Sequence, residues 1–324
     1  MTKGLLTTTV GSFPKPDYLM KARNQHARKE ITDQELKALE QKATEHWVRV
    51  QEELGIDILV DGEMYRGDMV EYFAENMKGF KISGLVRSYG NRYYRKPIAV
   101  GPVGRGDAIT VEWWKYTQSL TKRPVKGMLT GPYTIADWSF NEYYPTREAF
   151  ILDLARAVHE EALDLERAGA RYIQIDEPAI STRPEEMDLA SRALGIVTKG
   201  LKAYTFTHIC YGDFALVYDQ LVNLPVDNLD LELANSNYDL LGMFRRKPTK
   251  KALSMGVVDV HTHVIEPVAE IKERIKRGLE AFPPERLFID PDCGLKTRQE
   301  DEAVDKLRNI VAAVREVKKE TGIE

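Results

Sequence analysis

Cysteine is scarce in this chain of 324 residues, which contains only two. Two cysteines cannot make a disulfide framework, so the sequence predicts a protein of a reducing compartment, the cytoplasm. The chain also lacks an apolar run of the roughly 18 residues that a membrane span needs. Its first residues lack the long apolar segment of a secretory signal. We therefore expect neither a membrane protein nor a secreted disulfide-rich domain.

A surplus of positive charge is absent as well. The formal net charge is -4 and is spread along the chain without an acidic or basic tail. A general nucleic-acid binder should show a basic surplus, so we expect no nucleic-acid partner. Hydrophobic residues make up 43% of the chain, which allows a sizeable buried core.

Short β-branched or apolar runs alternate along the chain with longer segments of helical spacing. Alternating βα units predict a parallel sheet, and eight runs in this length favour a closed (β/α)8 TIM barrel. The runs are LLTTTVG, DILVDGE, VKGMLTG, RYIQIDE, AYTFTHIC, NLDLELA, LSMGVVDVH and LFIDPDC. We predict one barrel domain over residues 1–324. It has a helical N-terminal extension at about 15–53, with Thr32 as a candidate cap, and a hairpin-like insert at about 79–123.

Polar or metal-capable residues end nearly every one of these runs. Barrel active sites are built from residues at the C-terminal ends of several strands, so the pattern predicts a site at that end. The residues are Ser12, Glu63, Asp176, Glu177, His208, Cys210, Glu232, His261 and Cys293.

A metal site is the strongest prediction within this set. His208 and Cys210 are two residues apart, so on a strand both side chains point to the same face. With Glu232 and Cys293 from the ends of other runs, they make a tetrahedral set that suits Zn²⁺. The alternative is that each cysteine is an ordinary small buried residue. Two thiolates and a carboxylate favour holding a substrate thiol as thiolate over making hydroxide.

A competing motif is DVHTHV, which contains His261 and His263. Two histidines on one strand can be the first ligands of a barrel metallohydrolase. The alternative function is therefore a metal-dependent hydrolase, although the cysteines offer a better metal set elsewhere. The sequence leaves the role of His263 open.

Seven motifs carry a resemblance to a known family. They are TTTVGSFPKP, VDGEMYRGDMVEYF, GMLTGPYTIADWSF, IQIDEPAI, THICY, GVVDVH and DPDCGLKTR. In this order and over essentially the whole chain, they resemble the C-terminal catalytic half of cobalamin-independent methionine synthase. The resemblance implies a barrel in which zinc binds the sulfur of L-homocysteine, which is methylated to L-methionine.

Roles for single residues follow from this resemblance. The zinc ligands would be the four residues named above, and Gly11, Ser12, Glu63 and Asp176 would bind the amino-acid end of homocysteine. Carboxylates suit its ammonium group, and backbone N–H groups with a hydroxyl suit its carboxylate. His261 would be the proton donor. Asp176 with Glu177 could instead cap the following helix, and Trp138 could be a core residue.

The sequence leaves two methyl donors open. We expect a core form without the second, N-terminal barrel of full-length family members, and Thr182 stands where a pterin-side glutamate is expected. The donor could therefore be methyltetrahydrofolate or methylcobalamin, the latter presented by a corrinoid protein. Trp138 and Arg92 would lie on the donor side. A non-enzymatic alternative is an accessory chain that binds homocysteine for a partner, and the sequence does not predict the oligomeric state.

Overall fold

The structure, a computed structural model, describes residues 3–87, 93–210 and 212–324. Its strands are β1 Met77–Arg87, β2 Tyr93–Arg105, β3 Lys126–Thr130, β4 Phe140–Asn141, β5 Tyr172–Asp176, β6 Tyr204–Ile209, β7 Asn228–Leu231, β8 Ala252–Gly256 and β9 Leu287–Asp290. Its α-helices are α1 Asp17–Ala27, α2 Asp33–Leu54, α3 Met69–Glu75, α4 Val111–Ser119, α5 Pro132–Asp137, α6 Arg147–Ala168, α7 Met187–Val197, α8 Tyr218–Leu221, α9 Asp239–Arg246, α10 Val268–Leu279 and α11 Glu300–Thr321.

The main sheet has six strands in the order β3-β5-β6-β7-β8-β9. Its parallel pairs include β5 with β6, which ends at Asp176 opposite His208, and β8 with β9. Every residue of β3 and β7 to β9 is buried, as expected for parallel strands covered on both faces. The structure thus confirms a mixed α/β fold with a parallel sheet.

Six of the eight predicted runs contain the strands of this sheet. The first two runs instead carry isolated parallel bridges, which join Thr7 to Ile289 and Leu59 to Val125. Asp57 ties these two runs together, because its carboxylate accepts from the N–H of Thr7 at 2.8 Å and from the Thr7 hydroxyl at 2.9 Å.

Contacts between residues divide the chain into two compact units. The first comprises Met1–Tyr65, Tyr116–Lys126 and Asp230–Glu324. Its helix α2 begins at Thr32, which forms a capping box with Glu35 and so confirms the predicted cap. In the middle of α2, the buried indole of Trp47 stacks on the ring of Phe13 with 4.3 Å between ring centroids.

The second unit comprises Arg66–Lys115 and Gly127–Leu229. Here β1 and β2 form an antiparallel hairpin whose register starts at Met77 opposite Arg105. The hairpin base is tied to α6, because the guanidinium of Arg105 lies 2.8 Å from the buried carboxylate of Glu161. That carboxylate also accepts from the N–H groups of residues 109 and 110. None of the helices that the structure describes is long and apolar enough to cross a bilayer.

Candidate metal and substrate site

His208 and Cys210 lie at the end of β6, where the sequence predicts them. Both are 3% exposed. The backbone carbonyl of His208 accepts from the N–H of Glu177 at 2.9 Å, and that of Cys210 accepts from the hydroxyl of Ser181 at 3.3 Å. These bonds fix the backbone on both sides of the pair.

Three of the four predicted metal ligands come together. One ligand atom each from His208, Cys210 and Cys293 lies within 4.8 Å of the others, and we call these residues the His–Cys–Cys cluster. One imidazole and two thiols are donors that zinc prefers, so the cluster fits a zinc ion. The expectation that residues at the ends of different strands come together is therefore met by Cys293, which lies 83 residues beyond Cys210 in the sequence.

Glu232, the fourth predicted ligand, makes different contacts. Its Oε1 lies 3.2 Å from Nε2 of His261 and accepts from the side-chain amide of Asn235 at 2.9 Å. The hydrogen bond that His261 donates to Glu232 raises the pKa of His261, and the charges of Glu232, Cys293 and Asp259 act in the same direction. The imidazole therefore holds its proton more firmly than an ordinary histidine.

Asp292 binds the loop that follows Glu232. Its Oδ1 accepts from the N–H groups of Leu233 and Ala234 at 3.0 and 2.8 Å, and its Oδ2 accepts from that of Asn235 at 2.8 Å. Asp292 has no exposed surface, and this burial raises its pKa to about 7. No motif or spacing in the sequence marks Asp292 as a site residue, although it directly precedes Cys293.

Ser12 and Glu63 occupy two tightly connected loops of the first unit. The Ser12 carbonyl accepts from the N–H of Leu295 at 2.7 Å, and a Cβ added to Gly294 would lie 2.1 Å from the Ser12 hydroxyl. The N–H of Phe13, two residues after Gly11, donates to the carbonyl of residue 62 at 3.1 Å. A side chain at position 294 would therefore have to displace the Ser12 hydroxyl, whereas glycine leaves that hydroxyl in place beside the Cys293 segment.

Glu63 has a left-handed backbone, with φ of 59°. Such a conformation is costly for a residue other than glycine and persists where surrounding contacts hold it. Here the N–H of Glu63 donates to the carboxylate of Asp61 at 2.9 Å, and its carbonyl accepts from Lys15 at 3.1 Å. The half-buried Glu63 is thus held at the end of the second run by its own backbone.

Asp176 and Glu177 end strand β5 and make separate contacts. Asp176 is 6% exposed and accepts from the side-chain amide of Gln174 at 2.7 Å. Glu177 is fully buried and accepts from the N–H groups of Tyr133 and Thr134 at 3.0 and 2.8 Å, and from the Thr134 hydroxyl at 2.7 Å. Glu177 therefore binds the start of α5, which precedes it, rather than capping the following helix. Its burial raises its pKa to about 7.

Trp138 ends α5 and is half-buried. Its carbonyl accepts from the hydroxyl of Tyr94 on β2 at 3.0 Å, which links α5 to the hairpin. Arg92, the other predicted residue of the donor side, lies outside the described residues.

The two histidines of DVHTHV do not lie on a strand, so that prediction is wrong. Strand β8 ends at Gly256, and His261 follows in a loop that turns back towards Glu232. The side chain of His263 is 73% exposed and its Nδ1 lies 2.6 Å from Glu302 of α11. The two side chains therefore contact different residues, Glu232 and Glu302, and the His–Cys–Cys cluster includes neither histidine.

Comparison with known proteins decides the family. Residues 5–316 match the family described as the catalytic domain of cobalamin-independent synthase. The chain belongs to the cobalamin-independent methionine synthase family. A methionine synthase from Pyrococcus furiosus is 40% identical over 98% of this chain and 94% of its own length.

Two further relatives have informative lengths and structures. A 5-methyltetrahydropteroyltriglutamate–homocysteine methyltransferase from Mesorhizobium japonicum is 40% identical, but the match covers only 42% of that protein. The structure of a B12-independent methionine synthase from Shewanella sp. W3-18-1, in complex with selenomethionine, has a TM-score of 0.88 and 28% identity over 98% of both chains. Within the family, this chain therefore matches both short and long members.

Proposed function

We propose that this chain is a zinc-dependent methyltransferase that transfers a methyl group to the thiol of L-homocysteine and so forms L-methionine. The observation that carries the proposal is the His–Cys–Cys cluster in a chain of this family. His208, Cys210 and Cys293 would hold the zinc, with Glu232 as the fourth ligand. Zinc, when bound, keeps a coordinated thiol deprotonated, and the thiolate is the nucleophilic form of sulfur.

The residues of the chain would orient the substrate. Asp176 and Glu63 offer carboxylates for the ammonium group of homocysteine, and Gly11 with Ser12 offers backbone N–H and a hydroxyl for its carboxylate. The bonds that hold the loops at 12, 63 and 294 support this role, because fixed groups spare the entropy of ordering them at each turnover.

His261 would hold a proton at Nε2 for the leaving group of the methyl donor. Its hydrogen bond to Glu232 raises its pKa, which keeps the imidazole protonated to higher pH. A methylcobalamin donor leaves as cob(I)alamin and needs no proton, whereas a folate donor needs one. Trp138 and Arg92 would contact the donor, which is methyltetrahydrofolate or methylcobalamin, the latter brought by a corrinoid protein. We place the enzyme in the cytoplasm, since its thiols must stay reduced.

We also propose that the parallel sheet closes into a (β/α)8 barrel that forms one domain with a hairpin insert. Hydrogen bonds support this closure. The bridge from Ile289 of β9 to Thr7 adds a seventh position, the Thr7 carbonyl accepts from Ile58 at 3.0 Å, and the bridge from Leu59 to Val125 leads into β3. In the proposed barrel, the two runs that contain Thr7 and Leu59 would supply the two positions that the six-stranded sheet lacks.

A methyl-transfer assay with homocysteine tests the proposed function. Purified protein is loaded with zinc, and methionine is measured with methyltetrahydrofolate or methylcobalamin as donor, without a second chain. We expect turnover with one donor, and we expect Cys210→Ser to lose both zinc and activity.

Three outcomes separate the alternatives. A His261→Ala/His263→Ala protein that keeps its zinc excludes a hydrolase centre on these histidines, whereas loss of the metal would favour it. Absence of turnover with every donor would indicate an accessory chain that binds homocysteine for a partner. Zinc retained by Cys210→Ser would refute the proposed centre.

A further inference from the structure

The loop from Glu232 to Tyr238 has an unusual backbone. Both Asn237 and Tyr238 are left-handed, with φ of 52° and 64°. Two such residues in succession are costly, so other contacts must hold the loop in place. The bonds from residues 233–235 to Asp292 are the main contacts of this kind at its start.

The same carboxylate connects Glu232 to the Cys293 segment. Asp292 Oδ2 accepts from the backbone N–H of Asn235, and the side chain of Asn235 donates to Oε1 of Glu232 at 2.9 Å. Asp292 is covalently adjacent to Cys293. The orientation of the Glu232 carboxylate therefore depends on Asp292 through one intervening residue.

Asp292 packs directly against strand β8, and it fits there because residue 256 is a glycine. A Cβ added to Gly256 would lie 2.1 Å from Asp292 Oδ1 and 2.7 Å from Asp292 Cα. The N–H of Asp292 also donates to the carbonyl of Val258 at 3.0 Å. Both the backbone and the side chain of Asp292 are thus fixed, so its carboxylate can act as a rigid support.

We infer that Asp292 is a positioning residue for the metal centre, which fixes Glu232 relative to Cys293 by binding the loop of residues 233–235. The inference rests on the proposed function, since it assigns a support to two of its ligands. Groups that orient metal ligands typically contribute a factor of about 10 to 100 in metal affinity. A purely structural Asp292 would contribute to folding without this effect.

Zinc affinity of the whole protein tests the inference. Asp292→Asn keeps one acceptor oxygen but turns an amide N–H₂ towards a backbone N–H. We expect it to bind zinc at least about tenfold more weakly than the wild type in competition with a chelator. Cobalt(II) bound to the variant should also show a changed visible spectrum, because the ligand field depends on Glu232.

Asp57→Asn is the matched control. Asp57 also accepts hydrogen bonds from a backbone N–H and from a hydroxyl in the same unit, but those groups belong to Thr7. We expect its zinc affinity and cobalt spectrum to equal those of the wild type. Equal weakening in both variants, or unchanged affinity in Asp292→Asn, would overturn the inference.

Asn235→Ala decides the matter if Asp292→Asn does not fold. It removes only the amide that reaches Glu232 and keeps the backbone N–H on Asp292. Weaker zinc binding and a changed cobalt spectrum would support the inference, and wild-type values would overturn it. A wild-type protein that binds no zinc would instead refute the proposed function, so the two failures are distinguishable.

Discussion

Asp292 and Glu177 are two buried carboxylates that lie just after strands β9 and β5, and both bind backbone N–H groups of another segment. Each also faces a glycine, since a Cβ on Gly256 or Gly131 would come within 2.1 Å of its side chain. They differ in length. The shorter Asp292 brings its own Cα against Gly256, whereas only side-chain atoms of Glu177 face Gly131. At Gly256 the backbone of Asp292 is therefore part of the close contact, whereas at Gly131 the close contact is made by the Glu177 side chain alone.

Glu266 is a third buried carboxylate that binds a backbone N–H, but unlike the other two it also pairs with a buried lysine, so it tests whether backbone N–H groups alone can hold such a carboxylate. It accepts from the N–H of Asp259 at 2.7 Å, and it also pairs at 2.8 Å with the fully buried Lys306. We expect Lys306→Met to destabilise the protein by about 4 kcal/mol, because it leaves the buried charge of Glu266 with only the longer, 3.8 Å contact to Arg274. Urea unfolding of the metal-free protein measures this loss.

The double variant Lys306→Met/Glu266→Gln serves as its control. The substituted side-chain amide would keep an acceptor for the N–H of Asp259 without a charge, so at least half of the lost stability should return. If Lys306→Met cost less than about 1 kcal/mol, backbone N–H groups alone would suffice for this carboxylate too.

Alanine at the two glycines sharpens the comparison. We expect Gly256→Ala to cost about 3 kcal/mol, because the new methyl meets the backbone of Asp292, which cannot swing away. Gly131→Ala should cost less, about 2 kcal/mol, since only side-chain atoms of Glu177 must give way, although they then lose hydrogen bonds to Tyr133 and Thr134. Urea unfolding of both metal-free variants gives the two values, and equal losses would contradict the distinction between backbone and side-chain contacts.

Glu40 is a buried carboxylate that lies on a helix, so it shows the effect of burial on a pKa away from the strand ends. It lies on α2, is 7% exposed and pairs with Arg23 at 2.9 Å, yet burial outweighs Arg23 and raises its pKa to about 7. The folded state therefore holds a proton that the unfolded chain releases above about pH 4.5. The stability that this proton contributes is present at low pH and is lost as the pH rises through 7.

This effect should be smaller than those of Lys306→Met and Gly256→Ala. Allowing for solvent screening, we expect the wild type to lose about 2 kcal/mol more than Glu40→Gln between pH 5 and pH 8. Urea unfolding at both pH values measures the difference. Parallel pH profiles for the two proteins would show that Glu40 keeps an ordinary pKa.

Local patterns predicted the parts of the site that depend on neighbours in the sequence. One such part is the pair His208 and Cys210, which share a strand end and the same cluster in the structure. Another is the helix cap at Thr32, which the structure also contains. The position of Cys293 followed from a topological rule about strand ends, which needs only the order of strands.

The remaining features depend on contacts that no periodicity records. Asp292 binds residues 233–235, which precede it in the sequence by 57 to 59 positions. Its packing also depends on the absence of a side chain at Gly256. Strand β8 ends at that glycine, so His261 lies in a loop although its run reads as a continuous strand. The contact of His261 with Glu232 follows from this loop and could not be predicted from the motif.

The hairpin of β1 and β2 has a consequence for engineering. Met77 and Arg105 are cross-strand partners at its base, so their Cα atoms are only about 5 Å apart. A tight turn can span that gap, and Glu161 still holds the residue where the second arm rejoins the chain. The 27 intervening residues also bind the rest of the second unit, through Tyr94 and through the pairing of β2 with β4. New recognition can therefore be grafted onto this hairpin only if a replacement keeps these contacts and changes the exposed positions between them.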